Sequence, residues 1–207
     1  MKYLDKFHPD NFYHIFNHAV GKENLFSKHE NYIFFLNKFD SYLTPIAKTF
    51  CYCLMPNHFH ILIQIRNERV IRALAENNLA DFDFHKFVMQ KLSNFLNAYA
   101  KAFNKQNNRK GALFLDFTKR VQINDESCFV KLINYIHQNP VHHQFCKSPN
   151  DWSYSSYNSI ISKNKNTKLE RNAVFDWFGG IEEFVTFHKK EKFSDFDFPT
   201  YKVLKTL

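Results

Sequence analysis

Thr49-Phe50-Cys51-Tyr52-Cys53-Leu54-Met55-Pro56-Asn57-His58-Phe59-His60-Ile61-Leu62-Ile63-Gln64-Ile65 reads as two strands folded back on a turn. Apolar, aromatic and β-branched residues fill Thr49 to Leu54 and His58 to Ile65. Met55-Pro56-Asn57 between them supplies the proline and asparagine that turns use. Side chains alternate across a strand, so Phe59, Ile61, Ile63 and Ile65 are expected to face a core. His58, His60, Leu62 and Gln64 then share the opposite face.

Outward from this hairpin the same periodicities place the other elements. Phe12 to Val20 alternates rings and aliphatics with polar residues and predicts a first strand, ended by Gly21-Lys22. From Ser27 or Lys28, the residues Tyr32, Leu36, Phe39 and Leu43 recur at helical spacing until Pro45. Residues 66–83 are polar and predict a loop with a short helix. Phe84, Val88, Leu92, Phe95 and Tyr99 mark one face of a longer helix to about Phe103. Asn104 to Gly111 is a basic turn and Leu113 to Ile123 a fourth strand. Asp125 is placed to cap a helix from Glu126 to Asn139, which Pro140 is expected to stop. Strand, helix, strand, strand, helix, strand, helix implies an α+β chain with an antiparallel sheet covered by helices, of the ferredoxin-like type. Residues 163–172, rich in Lys and Asn, suggest a linker. Val174 to Phe187 reads as a helical appendix, and the last residues, with Lys190, Lys192 and Lys202, as a mobile tail.

Hydrophobic residues make up 44% of 207, enough for a real core and against disorder. The 25 Phe and 10 Tyr serve either as core rings or as platforms for unpaired bases. A net charge of +8 favours a polyanionic partner, nucleic acid before membrane. No stretch approaches the ~18 apolar residues of a membrane span, and Met1 to Asp5 begins no signal-type apolar run. The expected location is the cytoplasm, where Cys51, Cys53, Cys128 and Cys146 are reduced thiols.

Two imidazoles on one strand face, His58 and His60, can share a metal ion. Tyr135 and Asn139 lie four residues apart, one turn of helix. The buried stripe of that helix is expected to be Phe129, Leu132, Ile133 and Ile136, with Tyr135 on its flank. A divalent cation on His58, His60 and Asn139 would polarise a scissile phosphate while the Tyr135 oxygen attacks phosphorus. The products are a free 3′-hydroxyl and a 5′-phosphotyrosine, whose bond energy lets a second 3′-hydroxyl reverse the step elsewhere without ATP. Imidazole and amide ligands, with positions left for substrate oxygens, favour Mg²⁺ or Mn²⁺. Lys101, Lys105, Arg109, Lys110, Lys119 and Arg120, interleaved with Phe103, Phe114 and Phe117, are candidate phosphate contacts.

The joint pattern resembles the HUH single-tyrosine transposases, especially the REP-associated tyrosine transposases (IS200-like), over roughly residues 12–190. It is carried by Tyr13-His14-Ile15-Phe16-Asn17 and by Tyr52 to His60 across the hairpin. Asn108-Arg109-Lys110-Gly111 leading to Leu113-Phe114 continues it, followed by Lys119-Arg120, Tyr135-Ile136-His137 with Asn139-Pro140, and Trp152-Ser153-Tyr154-Ser155-Ser156-Tyr157. The resemblance implies an HUH endonuclease fold with helices on one side of the sheet. It implies a catalytic domain over 1–145 and a C-terminal extension over 146–207. His58 and His60 match the family's metal pair, Tyr135 its nucleophile, and Asn139 its third ligand, with Gln138 the alternative. The implied substrate is single-stranded DNA with foldback hairpins, handled by a monomer or a homodimer.

Two rivals stay open. Cys51 and Cys53 could join His60 and His58 in a Cys₂His₂ zinc site if the turn runs from Leu54 to Asn57. Alternatively the chain is a non-catalytic hairpin DNA- or RNA-binding protein of ferredoxin-like fold. The segment Trp152 to Tyr157 reads either as an aromatic plug on the sheet or as rings for base stacking.

Overall fold

A computed structural model describes residues 3–75, 81–125, 127–162 and 166–190. The expected tail beyond Lys190 lies outside them. Four strands, β1 (Phe12–His18), β2 (Ala47–Met55), β3 (His58–Ile65) and β4 (Lys119–Ile123), form one antiparallel sheet in the order β2-β3-β1-β4. The hairpin that anchors the reading is there, with Met55 opposite His58. Between the strands run α1 (His29–Leu43), α2 (Glu68–Ala73) and α3 (Phe84–Gln106); after β4 come α4 (Ser127–His142), α5 (Tyr157–Ile161), α6 (Arg171–Phe178) and α7 (Ile181–Lys190).

The alternation along β3 decides which helices go where. Phe59, Ile61, Ile63 and Ile65 join Phe35, Phe95 and Tyr99 in a core between the sheet and α1 and α3. The other face carries Cys53, Met55 and Leu62, and a bulge between Thr49 and Cys51 turns Phe50 and Cys51 to that side as well. These residues pack on Phe129, Leu132, Ile133 and Ile136 of α4 and on Val174 and Phe184 beyond it. Helices on one side therefore describes α1 and α3 only. The second face is too apolar to stay exposed, and α4, α6 and α7 cover it.

Several boundaries move for local reasons. The fourth strand begins at Lys119 rather than Leu113, because Phe117 sits at φ +59° and breaks the extended run. α4 continues through Pro140 to His142, so the proline falls inside the last turn and the helix ends just after it. Asp125 receives the Ser127 N–H and hydroxyl, as a capping residue should. Gly179, at φ +84°, ends α6 in the left-handed conformation and lets α7 turn back. Of the expected linker, Leu169 bridges to Thr49, Lys168 pairs with Asp40 and α6 already starts at Arg171. Among the described residues no helix is long and apolar enough to cross a membrane.

The segment after α4 is bonded to the sheet. Leu54 N–H donates to Tyr154 C=O and Ser156 N–H to Tyr52 C=O, so residues 154–156 extend the β2 edge. Trp152 donates its indole N–H to Leu54 C=O, and Tyr154 stacks on Tyr32 with centroids 3.6 Å apart. The aromatic motif is thus a plug. A buried polar chain pins α7 behind it. His188 Nδ1–H donates to Phe184 C=O, so its Nε2 accepts from His137 Nδ1–H, and His137 Nε2 accepts the Ser156 hydroxyl. With neutral rings every link has one proton and one acceptor.

That neutrality is sensitive to pH. Burial, only partly opposed by the Phe184 carbonyl, pushes the His188 pKa down to about 4, whereas an unfolded histidine titrates near 6.5. Between those values the unfolded chain binds the extra proton, so stability falls as pH is lowered from 6.5 towards 4, by up to about 1.4 kcal/mol per unit for this residue. Replacing His188→Phe should lower stability at pH 7.5 by about 1–3 kcal/mol, through the orphaned His137 donor. It should also make the loss on acidification shallower than in the wild type. Urea melts at pH 7.5 and 4.5 check both, and equal acid losses would contradict the neutral chain.

Candidate active site

Because antiparallel partners share a face, the sheet register lays the second face out in rows. Met55, His58 and His18 form one row; Cys53, His60, Phe16 and Lys119 the next; Cys51, Leu62, His14 and Val121 the third. Three histidines besides the expected pair therefore gather here: His14 and His18 from β1, and His143 just past α4, whose ring lies 5.2 Å from that of His58. The period-two run Phe12, His14, Phe16, His18 was the available signal for the β1 pair. Nothing local in the sequence pointed to His143.

Proton counting defines what this cluster can bind. His58 lies between two amide oxygens, with Nδ1 2.8 Å from Asn57 Oδ1 and Nε2 3.4 Å from Asn139 Oδ1. A neutral imidazole has one N–H, and the shorter contact takes it. The His58 Nε2 lone pair then faces an oxygen lone pair. Asn139 is held in this orientation because its own amide N–H donates to Tyr135 C=O at 2.9 Å. His60 Nδ1 contacts His14 Nε2 at 2.9 Å, while its Nε2 is fully buried with no hydrogen-bond partner. The His58 and His60 ring centroids are 5.2 Å apart at 82°, a separation at which one cation about 2 Å from each nitrogen can be shared. Gln138, the alternative ligand, is turned away and donates to His188 C=O on α7.

A second proton on His58 would satisfy both amides, but the surroundings oppose it. Burial, followed by His143 and His18, pushes its pKa down to about 3 against the weaker help of Asn139. Burial and the neighbouring imidazoles hold His60 well below the ordinary range too. Neutral imidazole is the form that ligates metals. Among the described residues no three His, Cys, Asp or Glu side chains group to hold a metal, so a divalent cation here would have to draw on two imidazoles and an amide, His58 Nε2, His60 Nε2 and Asn139 Oδ1.

The Tyr135 ring stands 5.3 Å from that of His60 and 6.1 Å from that of His14, edge to face with both. It is not on an open flank: Tyr135 is 2% exposed, and every residue from Leu132 to Pro140 is buried. The sheet closes one side of α4, while α6, α7 and the segment near Ser156 close the other.

The zinc alternative does not form. The turn is shorter than it requires, so Cys53 faces His60 and Cys51 faces Leu62, one step out of register. Among the described residues no three His, Cys, Asp or Glu side chains group to hold a metal, and burial raises both thiols well above the ordinary range.

The basic candidates separate into two kinds. Arg109 is spent internally on Glu23, Asn104 and the carbonyls of Gly111 and Ala112, clamping the loop before β4. Arg120 is buried, donates to Asp5 and Leu4 carbonyls and lies over the Phe7 ring. Both guanidiniums are engaged within the chain, so a phosphate would have to compete with these contacts. Lys101, Lys105 and Lys110 are exposed, and Lys119 is half-buried in the same row as His60, two strands or roughly 10 Å away. Phe103 and Phe114 belong to the core, whereas Phe117 is 63% exposed.

No protein-family model matches the sequence, and no curated protein matches it. A solved structure of a REP-associated tyrosine transposase bound to a REP hairpin does share the architecture, with a TM-score of 0.56. The match covers 81% of this chain and 89% of that one at 10% identity, and at that identity the likeness is one of fold.

Titration with Mn²⁺ should find one site per chain. His58→Ala and His60→Ala should each weaken it at least ~10-fold, while Gln138→Ala leaves it unchanged; calorimetry reads the difference. For nucleic acid, Lys105→Gln, Lys110→Gln and Lys119→Gln should each lower the salt slope of single-strand binding by about 0.7. Arg120→Gln should instead lower the melting temperature.

Proposed function

We propose that the chain is a metal-dependent single-strand DNA nicking and joining enzyme, a transposase of the HUH single-tyrosine kind. The observation that carries this reading is His58 Nε2 set 3.4 Å from Asn139 Oδ1, with the Tyr135 ring beside His60, whose buried Nε2 has no partner. Buried polar nitrogens and oxygens left without partners are costly unless something answers them, and a cation would do so here. Mg²⁺ or Mn²⁺ held there would supply charge neutralisation at a scissile phosphate. The Tyr135 oxygen gives up its proton and bonds to phosphorus. The bond from phosphorus to the 3′ oxygen breaks, and that oxygen takes up a proton as a free 3′-hydroxyl. The resulting 5′-phosphotyrosine is resealed by a second 3′-hydroxyl in the reverse step.

The shared fold with a transposase bound to a hairpin supports single-stranded DNA with foldback hairpins as the substrate class. The net charge and the exposed lysines near β4 support the same partner. Phenol and imidazoles meet within one chain, which supports a site complete in a monomer; a homodimer exchanging α4 would be the alternative. The closed state of Tyr135 sets a requirement: α4 or its cover has to move before a phosphate reaches the phenol.

That same burial favours a second reading, a hairpin-binding protein in which the constellation no longer reacts. Incubation with hairpin-bearing single-stranded DNA and Mn²⁺ separates the two. Catalysis predicts a protein–DNA adduct that survives denaturation and disappears in Tyr135→Phe and without metal. Tight binding with no adduct under any condition supports the binding module.

A further inference from the structure

We infer that His14 is a positioning residue of the cation site: it selects the His60 tautomer that leaves Nε2 free to ligate. The inference rests on the cation reading above and adds a residue to it. His14 is diagonal to His60 across the β1–β3 pair, on the same face, with His14 Nε2 2.9 Å from His60 Nδ1. Both side chains are fully buried. One proton lies between the two nitrogens, and it belongs to one ring or the other. If His60 owns it, His60 Nε2 is a lone pair and His14 must carry its own proton on Nδ1. If His14 owns it, the His60 proton sits on Nε2 and blocks that atom as a ligand.

The outer ends of the pair make this a linked choice. His60 Nε2 and His14 Nδ1 are both buried with no hydrogen-bond partner, so the fold alone favours neither arrangement through those ends. A cation at His60 Nε2 decides it: the lone pair is required there, the shared proton moves to His60, and His14 becomes the acceptor. The protein thus holds a second imidazole where metal-bound His60 needs an acceptor for its far N–H, the role that carboxylates and carbonyls fill elsewhere. An apolar residue would pack on Phe16 and Leu62 without leaving a buried nitrogen unanswered, so packing does not account for a histidine at this position. Asn57 performs the equivalent service for His58, accepting from its Nδ1 at 2.8 Å. Each imidazole of the pair is therefore oriented by a polar neighbour on its Nδ1 side.

The experiment uses the full chain, with Mn²⁺ affinity read by calorimetry and the His60 ring tautomer by nitrogen NMR. In His14→Gln the amide oxygen can still accept from His60 Nδ1–H, and affinity should stay within a few-fold of the wild type. His14→Phe fills the space without an acceptor and should weaken Mn²⁺ 10–100-fold. In the Mn²⁺-matched diamagnetic Mg²⁺ form, the wild-type His60 should be protonated at Nδ1, and this measurement needs no variant to fold. Wild-type affinity in His14→Phe, or a proton on His60 Nε2 in the Mg²⁺ form, overturns the inference. His58→Ala is the control that separates the two levels. If it too binds Mn²⁺ like the wild type, the cation reading itself fails; if it loses binding while His14→Phe does not, only the role of His14 fails.

Discussion

A neutral imidazole has one proton to give, and His58 is held between two oxygens that both want it. Asn57 takes the proton, so the nitrogen facing Asn139 has only a lone pair to present. His60, two residues along the same strand, presents a second buried nitrogen with no partner. Buried polar atoms are costly without partners, because each has given up hydration to be there. The two-residue period of β3 brings the imidazoles to one face, the hairpin turn supplies Asn57, and one turn of α4 joins Asn139 to Tyr135. Remove any of these and the convergence is gone.

The rest of the fold serves to keep that face dry and α4 still. Apolar residues on the same face, Cys53, Met55 and Leu62, require a cover, and α4 provides it. α4 in turn has a polar outer side, with His137 and Gln138, which could not be buried without partners. The chain Phe184–His188–His137–Ser156 answers those groups one proton at a time. In this way the C-terminal segment fixes the helix that carries the phenol. The same cover closes the phenol off, so the reaction proposed for this site requires α4 or its cover to move.

Much of this was legible in the sequence because it depends on local periodicity. The bounds of β3, the order of strands and helices, the shared face of His58 and His60, and the pairing of Tyr135 with Asn139 all follow from spacings of two and four. What was not legible depends on contacts between distant segments. Arg109 and Arg120 read as free cations in the sequence, and their bonds to Glu23 and to the carbonyls of Leu4 and Asp5 come only with the fold. Tyr135 looks like a flank residue until α6 and α7 fold over α4. Residues 163–172 read as linker from their composition, yet within them Leu169 is tied to Thr49. His14 was visible in the β1 alternation, but its contact with His60 needed the register of β1 on β3.

A crystal structure of the Mn²⁺-soaked protein, with data collected for manganese anomalous scattering, tests the central claim most directly. A cation held as proposed gives a single anomalous peak about 2 Å from His58 Nε2, His60 Nε2 and Asn139 Oδ1, with Asn57 and His14 still on the Nδ1 side of each ring. No peak at that point, or a peak bound through other residues while His58 Nε2 stays against Asn139, would contradict it.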